Sequence, residues 1–133
     1  MKARLTAYRR LMVEIEVEEQ RRKVLEEIDG FGAERARGAI DRRLRKLREK
    51  EQAEHEALMT IIEALPRPEQ RQVLLARYID GHSWASVSQL LFGRRPDYWL
   101  RQESYERRVY RIHGEALAAA NRTAEMKRLH GRT

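Results

Sequence analysis

The side chains of this sequence best spaced to do chemistry are arginines, and the chemistry is recognition. Arg107, Arg108 and Arg111 fall three and four apart, so a helix brings them to one face, with Tyr110 and His113 at its border, where they either contact DNA or pack against a neighbouring helix. A guanidinium is a permanently charged planar fork of donors that matches phosphate oxygens, or the O6/N7 edge of guanine, two bonds at a time. Just upstream, Arg94, Arg95 and Arg101 stand with Tyr98 and Trp99 between Gly93 and Ser104. Three arginines and two large aromatics there suit a supplementary contact to a DNA backbone or minor groove. Other chemistries have little to stand on. There is no cysteine, and His55, His82, His113 and His130 lack metal-ligand spacing. No Gly-rich phosphate loop, nucleophile elbow or carboxylate pair set among apolar residues occurs. The expectation is a chain that is not an enzyme, with no catalytic residue, no cofactor and no metal.

These arginines need helices to hold them. Pro68 suits a first helical turn, where its missing N–H is not needed, and Gly81 suits the left-handed residue that stops a helix, giving a short helix from about Pro68 to Asp80. Ser83 can cap a second helix in which Val87, Leu90 and Leu91 share a face while Ser86, Ser88 and Gln89 stay polar. A third helix carries Val109, Ile112 and Ala116 inward and leaves Arg107, Arg108 and Arg111 outside. Trp84 and Tyr78 read as core. The Gly93 to Ser104 insert reads as an extra turn, an N-terminal extension of the third helix or a basic loop.

The segment from Leu65 to Gly81, continued by Ser83-Trp84, resembles the fourth region of bacterial sigma factors. The phrases R-Y-I-D-G-H-S-W and R-V-Y-R-I-H-G-E-A-L are similar to those of a phage and prophage family of sigma-like helix-turn-helix proteins, related to late-gene transcription activators of the RinA and ArpU kind. The resemblance implies sequence-specific binding of double-stranded DNA, transcription regulation and RNA polymerase as a further partner. Two departures stand out. Ala85-Ser86-Val87-Ser88 offers no acid to complete a reciprocal cap, which predicts a weaker helix start, and the insert replaces what is usually a few turn residues.

The first half reads as a helical hairpin. Leu5, Tyr8, Met12, Ile15, Leu25 and Ile28 mark one helical stripe, ending at Ile28; Asp29-Gly30-Phe31-Gly32 breaks it; Ile40, Leu44, Leu47, Leu58, Ile61 and Leu65 mark a second, with Glu51 and Glu54 polar in its middle. Two such helices fold back antiparallel to bury their stripes, placing Ile15 near Leu47 and Leu5 near Leu58. One hairpin buries one seam, so pairing with a second copy or another protein is expected.

Charge separates the halves. The net +7 divides as 15 Lys+Arg against 14 Asp+Glu up to residue 65 and 13 against 7 beyond it, the second excess being almost wholly arginine. No run approaches the roughly 20 apolar residues of a membrane span, and Met1-Lys2-Ala3-Arg4 lacks the apolar block of a signal peptide, which predicts a cytoplasmic protein with no membrane partner. The sequence therefore predicts an all-α chain: an antiparallel hairpin over 1–65, a sigma-like helix-turn-helix over 66–120 with the insert near 93–104, and a tail over 121–133 able to continue the last helix before fraying. Its expected DNA-binding residues are Arg94, Arg95, Arg101, Arg107, Arg108, Tyr110 and Arg111. Two other functions compete with the regulator: a small terminase-like DNA-packaging subunit, in which the order of DNA-binding and oligomerising parts is usually the reverse, and a protein-interaction module without specific DNA binding.

Overall fold

The structure, a computed structural model, describes residues 1–131, with Phe31 described by its backbone alone. It is all helical, with no strand among the described residues. The elements in order are α1 (Lys2–Glu26), α2 (Phe31–Glu63), α3 (Pro68–Leu74), a π-helical turn Leu75–Ile79, α4 (Trp84–Phe92) and α5 (Gln102–His130). They sort into two compact units, one of Thr6–Ala57 and one of Met1–Leu5 with the chain from Leu58 onward.

In the unit Thr6–Ala57, α1 and α2 are antiparallel. Tyr8 meets Glu51 and His55 toward one end, Glu19 meets Arg48, and Arg22 meets Asp41 toward the other. The apolar seam is Leu11, Ile15, Ile40 and Leu44, with Leu25 and Leu47 partly buried against it. Leu11 thus takes the inner place expected for Met12, which is only half-buried, and Leu47 lies at the edge of the seam rather than in its middle. The stripe also differs at its end: α1 stops at Glu26, and Ile28 is 46% exposed. The last turn tightens to i→i+3 bonds, Glu27 N to Val24 O and Ile28 N to Leu25 O, and Arg37 Nη1 donates to the carbonyls of Leu25 and Ile28 at 2.7 and 2.8 Å. Gly30 then turns the chain at φ 122°, a backbone conformation that disfavours a Cβ. Two polar groups face inward. Glu18 is buried, and both its carboxylate oxygens accept from Arg21 Nη1, at 3.0 and 3.3 Å. The Tyr8 hydroxyl donates to Glu51 Oε1 at 2.7 Å; burial first, and then this bond, pushes its phenol above the usual range.

In the other unit, Val73, Ala76, Val87, Phe92, Tyr98, Val109 and Ile112 form the core, with Trp84, Leu91 and Tyr105 partly buried against it. Pro68 opens α3 as expected. The helix stops through Gly81 at φ 79°: Asp80 N bonds Leu75 O and His82 N bonds Ala76 O, consuming carbonyls that the end of the helix would leave bare. Ser83 caps α4 by accepting from Ser86 N at 3.2 Å, and its hydroxyl donates to Ser86 Oγ at 3.1 Å.

The face of α4 differs from expectation at two positions. Leu90 points out, 61% exposed, and Ser88 points in, fully buried. Trp84, Val87, Ser88 and Leu91 are the residues spaced three and four apart, so they share the inner face. The Ser88 hydroxyl is satisfied there by the Tyr98 hydroxyl at 3.1 Å. The helix bearing Val109, Ile112 and Ala116, all buried, continues into the tail: α5 also buries Ala119 and Ala120 and runs on to His130. Of the expected tail, Arg132 and Thr133 lie outside the described residues.

Candidate nucleic-acid interface

The side of α5 away from the core presents Arg107 and Arg111, both exposed, one turn apart. Opposite them Val109, Ile112 and Ala116 are buried, so the helix cannot rotate without exposing its apolar stripe. Arg101, Arg107, Arg108 and Arg111 border one depression with Asp97, Ser104 and Tyr105. Arg108 is less free than its neighbours: it is half-buried, with its guanidinium 4.9 Å from the ring of Phe92. A cation held over an aromatic face can still offer N–H groups at its rim, but its reach is fixed by the ring beneath it.

Arg94 and Arg95 are exposed on the turn that leaves α4, and Arg95 lies 5.9 Å from the Phe92 ring. The stretch from Gly93 to Arg101 is neither an open loop nor an extension of α5. It is a run of tight turns closed by Arg95 N to Phe92 O, Tyr98 N to Arg95 O, Leu100 N to Asp97 O and Arg101 N to Asp97 O. Tyr98, fully buried, ties it to the core. The Asp97 carboxylate accepts from the Tyr105 hydroxyl at 2.5 Å and lies 3.7 Å from Arg101 Nε. That hydrogen bond holds the Asp97 carboxyl below its ordinary range, with Arg101 and Arg95 adding to the effect, and raises the Tyr105 phenol. Asp97 therefore stays charged and orients Arg101.

Tyr110 and His113 sit apart from the arginines. Tyr110 is 52% exposed, but its ring leans on Trp84 with centroids 5.2 Å apart. His113, expected at the border of the outer face, is buried: its Nε2 is hydrogen-bonded to the Tyr78 hydroxyl at 2.7 Å, and its ring meets Trp84 edge-on at 4.7 Å. Burial first, then the charges of Lys2 and Arg77, lowers its pKa and keeps the ring neutral. Its position on α5 turns it toward the core, one step past Ile112.

Trp99 is legible in the sequence as one of the aromatics of the insert; Leu100 beside it is not. They are 69% and 90% exposed, side by side, and border a second hollow together with Arg101, Ser104 and Arg107. Apolar residues mark a buried face by repeating along it, and two adjacent ones in a turn repeat nothing. Among the described residues no group of three or more His, Cys, Asp or Glu side chains could hold a metal ion, and no helix is long and apolar enough to cross a membrane. Compared with known proteins, the chain matches no family model, no curated protein and no solved structure.

Proposed function

We propose that this chain is a sequence-specific DNA-binding transcription regulator of phage or prophage type. In this proposal α3, α4 and α5 work as a helix-turn-helix and α5 enters the major groove. The observation that carries the reading is the exposed pair Arg107 and Arg111 on a helix whose other face is fixed in the core, beside Arg101 and Arg108 in one basic depression. An arginine held at a fixed angle can pair with a guanine edge, whereas a freely rotating one only neutralises charge. Arg94, Arg95 and Arg101 take the backbone phosphates that set register. Tyr110, beside Trp84, supplies a further contact on the α4 side.

The hairpin supplies a partner surface. Val13, Val17 and Val24 lie exposed on α1 at spacings of four and seven residues, an apolar face of the sort that a second copy or the transcription machinery covers. In this reading RNA polymerase is the machinery recruited.

Selection of duplexes from a random pool, followed by affinity against salt for the selected and scrambled sequences, tests the reading. Arg107→Ala and Arg111→Ala should each cost about 1–3 kcal/mol on the selected site and relax preference at one base pair. Arg94→Ala or Arg95→Ala should weaken all sequences alike and lower the salt slope by about one unit. If a chain with alanine at 107, 108 and 111 binds the selected site as tightly as the parent, α5 does not read DNA.

A further inference from the structure

We propose that Trp99 and Leu100 form a wedge that enters a base step of the duplex beside the groove occupied by α5, unstacking it and kinking the DNA. The inference rests on the DNA-binding reading and adds to it a site, a mode of contact and a deformation.

Trp99 and Leu100 are two large apolar side chains adjacent in sequence, 69% and 90% exposed. They are not on a loose loop. Tyr98, next to Trp99, is fully buried, donates to Ser88 and packs edge-on against the Trp99 ring with centroids 5.1 Å apart. On the other side, the Asp97 carboxylate ties the turn to Tyr105 of α5 and to Arg101. The tip is thus preorganised, and inserting it forfeits little conformational entropy.

The surroundings select the occupant. Arg101 and Arg107 border the same hollow as the tip, against Glu103, and Arg94 and Arg95 are exposed earlier on the same turn. A partner for this surface must be apolar where the tip enters and anionic around it. A base step between two phosphate strands is both. The hollow that holds Trp99 and Leu100 also holds Arg107, so the apolar tip and the helix face assigned to the major groove address the same stretch of duplex. Apolar wedges of this chemistry unstack a step at a cost of a few kcal/mol and bend the helix by roughly 20–90°. That cost is least at TA and CA/TG steps, so the wedge would favour such a step at a position no arginine reads.

The test uses the full chain and its selected duplex carrying 2-aminopurine at successive positions, with dyes at the two ends. The parent should raise 2-aminopurine emission at one step and shorten the end-to-end distance. The variant with both Trp99→Ala and Leu100→Ala changes only exposed side chains; it should still bind, at least tenfold more weakly, with the bend and the emission change lost. In a Trp84→Phe background, where Trp99 is the sole tryptophan, its emission should quench on binding. Duplex bound tightly with no emission change at any step and no bend would overturn the wedge and leave the DNA-binding reading standing. No duplex binding at low salt would overturn both, and a blue shift of Trp99 on vesicles of phosphatidylserine and phosphatidylcholine would then assign the tip to an anionic lipid surface.

Discussion

Ser88 and Tyr98 offer a test of how the turn after α4 is held. Both side chains are fully buried, and their hydroxyls are 3.1 Å apart, Tyr98 donating. Ser88→Ala removes the acceptor and strands a phenol O–H away from water, at a cost of about 1–3 kcal/mol. Tyr98→Phe removes the donor instead. The Ser88 hydroxyl that remains can turn to a backbone carbonyl one helical turn back, so this change should cost only about 0.5–1.5 kcal/mol. The double variant leaves neither partner unsatisfied and keeps nearly the same shape. It should be more stable than Ser88→Ala alone, with a coupling of about 1 kcal/mol in the double-mutant cycle. Urea unfolding followed by tryptophan emission is the suitable assay, because Trp84 and Trp99 both lie in the unit that holds this pair. Midpoints should move while the slope stays constant. Additive costs, with the double variant less stable than either single one, would show that the two hydroxyls do not bond and that Tyr98 anchors the turn by packing alone.

In the hairpin, Ile15→Asp should destabilise by several kcal/mol, because the carboxylate enters a seam with no partner for it. Leu47→Asp should cost clearly less, because Leu47 is only partly buried; equal thermal shifts for the two would contradict the seam as described. The stability of the other unit should depend on pH through His113. Its folded pKa is lowered from the ordinary 6.5, so the unfolded chain binds the proton first as pH falls. Stability is then full above pH 6.5 and declines below it, until the pH is low enough for the buried ring to be protonated in the folded state as well. His113→Gln should flatten that slope in tryptophan-detected urea midpoints measured across the acid range, and an unchanged slope would show that the ring is not held neutral by its surroundings.

Periodicity carried much of this fold because burial is periodic wherever a helix faces one neighbour. Leu5, Tyr8 and Ile15, then Ile40 and Leu44, then Val109, Ile112 and Ala116 are inward in the structure at the spacings read from the chain. The helix signals at Pro68, Gly81 and Ser83 were equally legible, since each acts through its own backbone or through atoms within a turn. What failed were choices that local chemistry leaves open. Leu90 is more apolar than Ser88, yet Ser88 is the one buried, because the inner face of α4 is set by where Trp84, Val87 and Leu91 find neighbours, and Tyr98 arrives from ten residues away to satisfy the hydroxyl. For His113, at the border of the arginine face, the sequence leaves DNA contact and packing both open, and Tyr78 and Trp84 decide for packing. The insert was indeterminate for the same reason. Its turns are ordered by Tyr98 in the core and by Asp97 on Tyr105, contacts that exist only once α4 and α5 are in place. The sequence alone determined that the chain is helical, the helix boundaries marked by Pro68, Gly81 and Ser83, and that its positive charge concentrates in the second half. Which arginines stand free, which one lies over Phe92, and that Trp99 and Leu100 project beside them were decided by tertiary packing, because exposure is a property of the neighbours a residue acquires rather than of the residue itself.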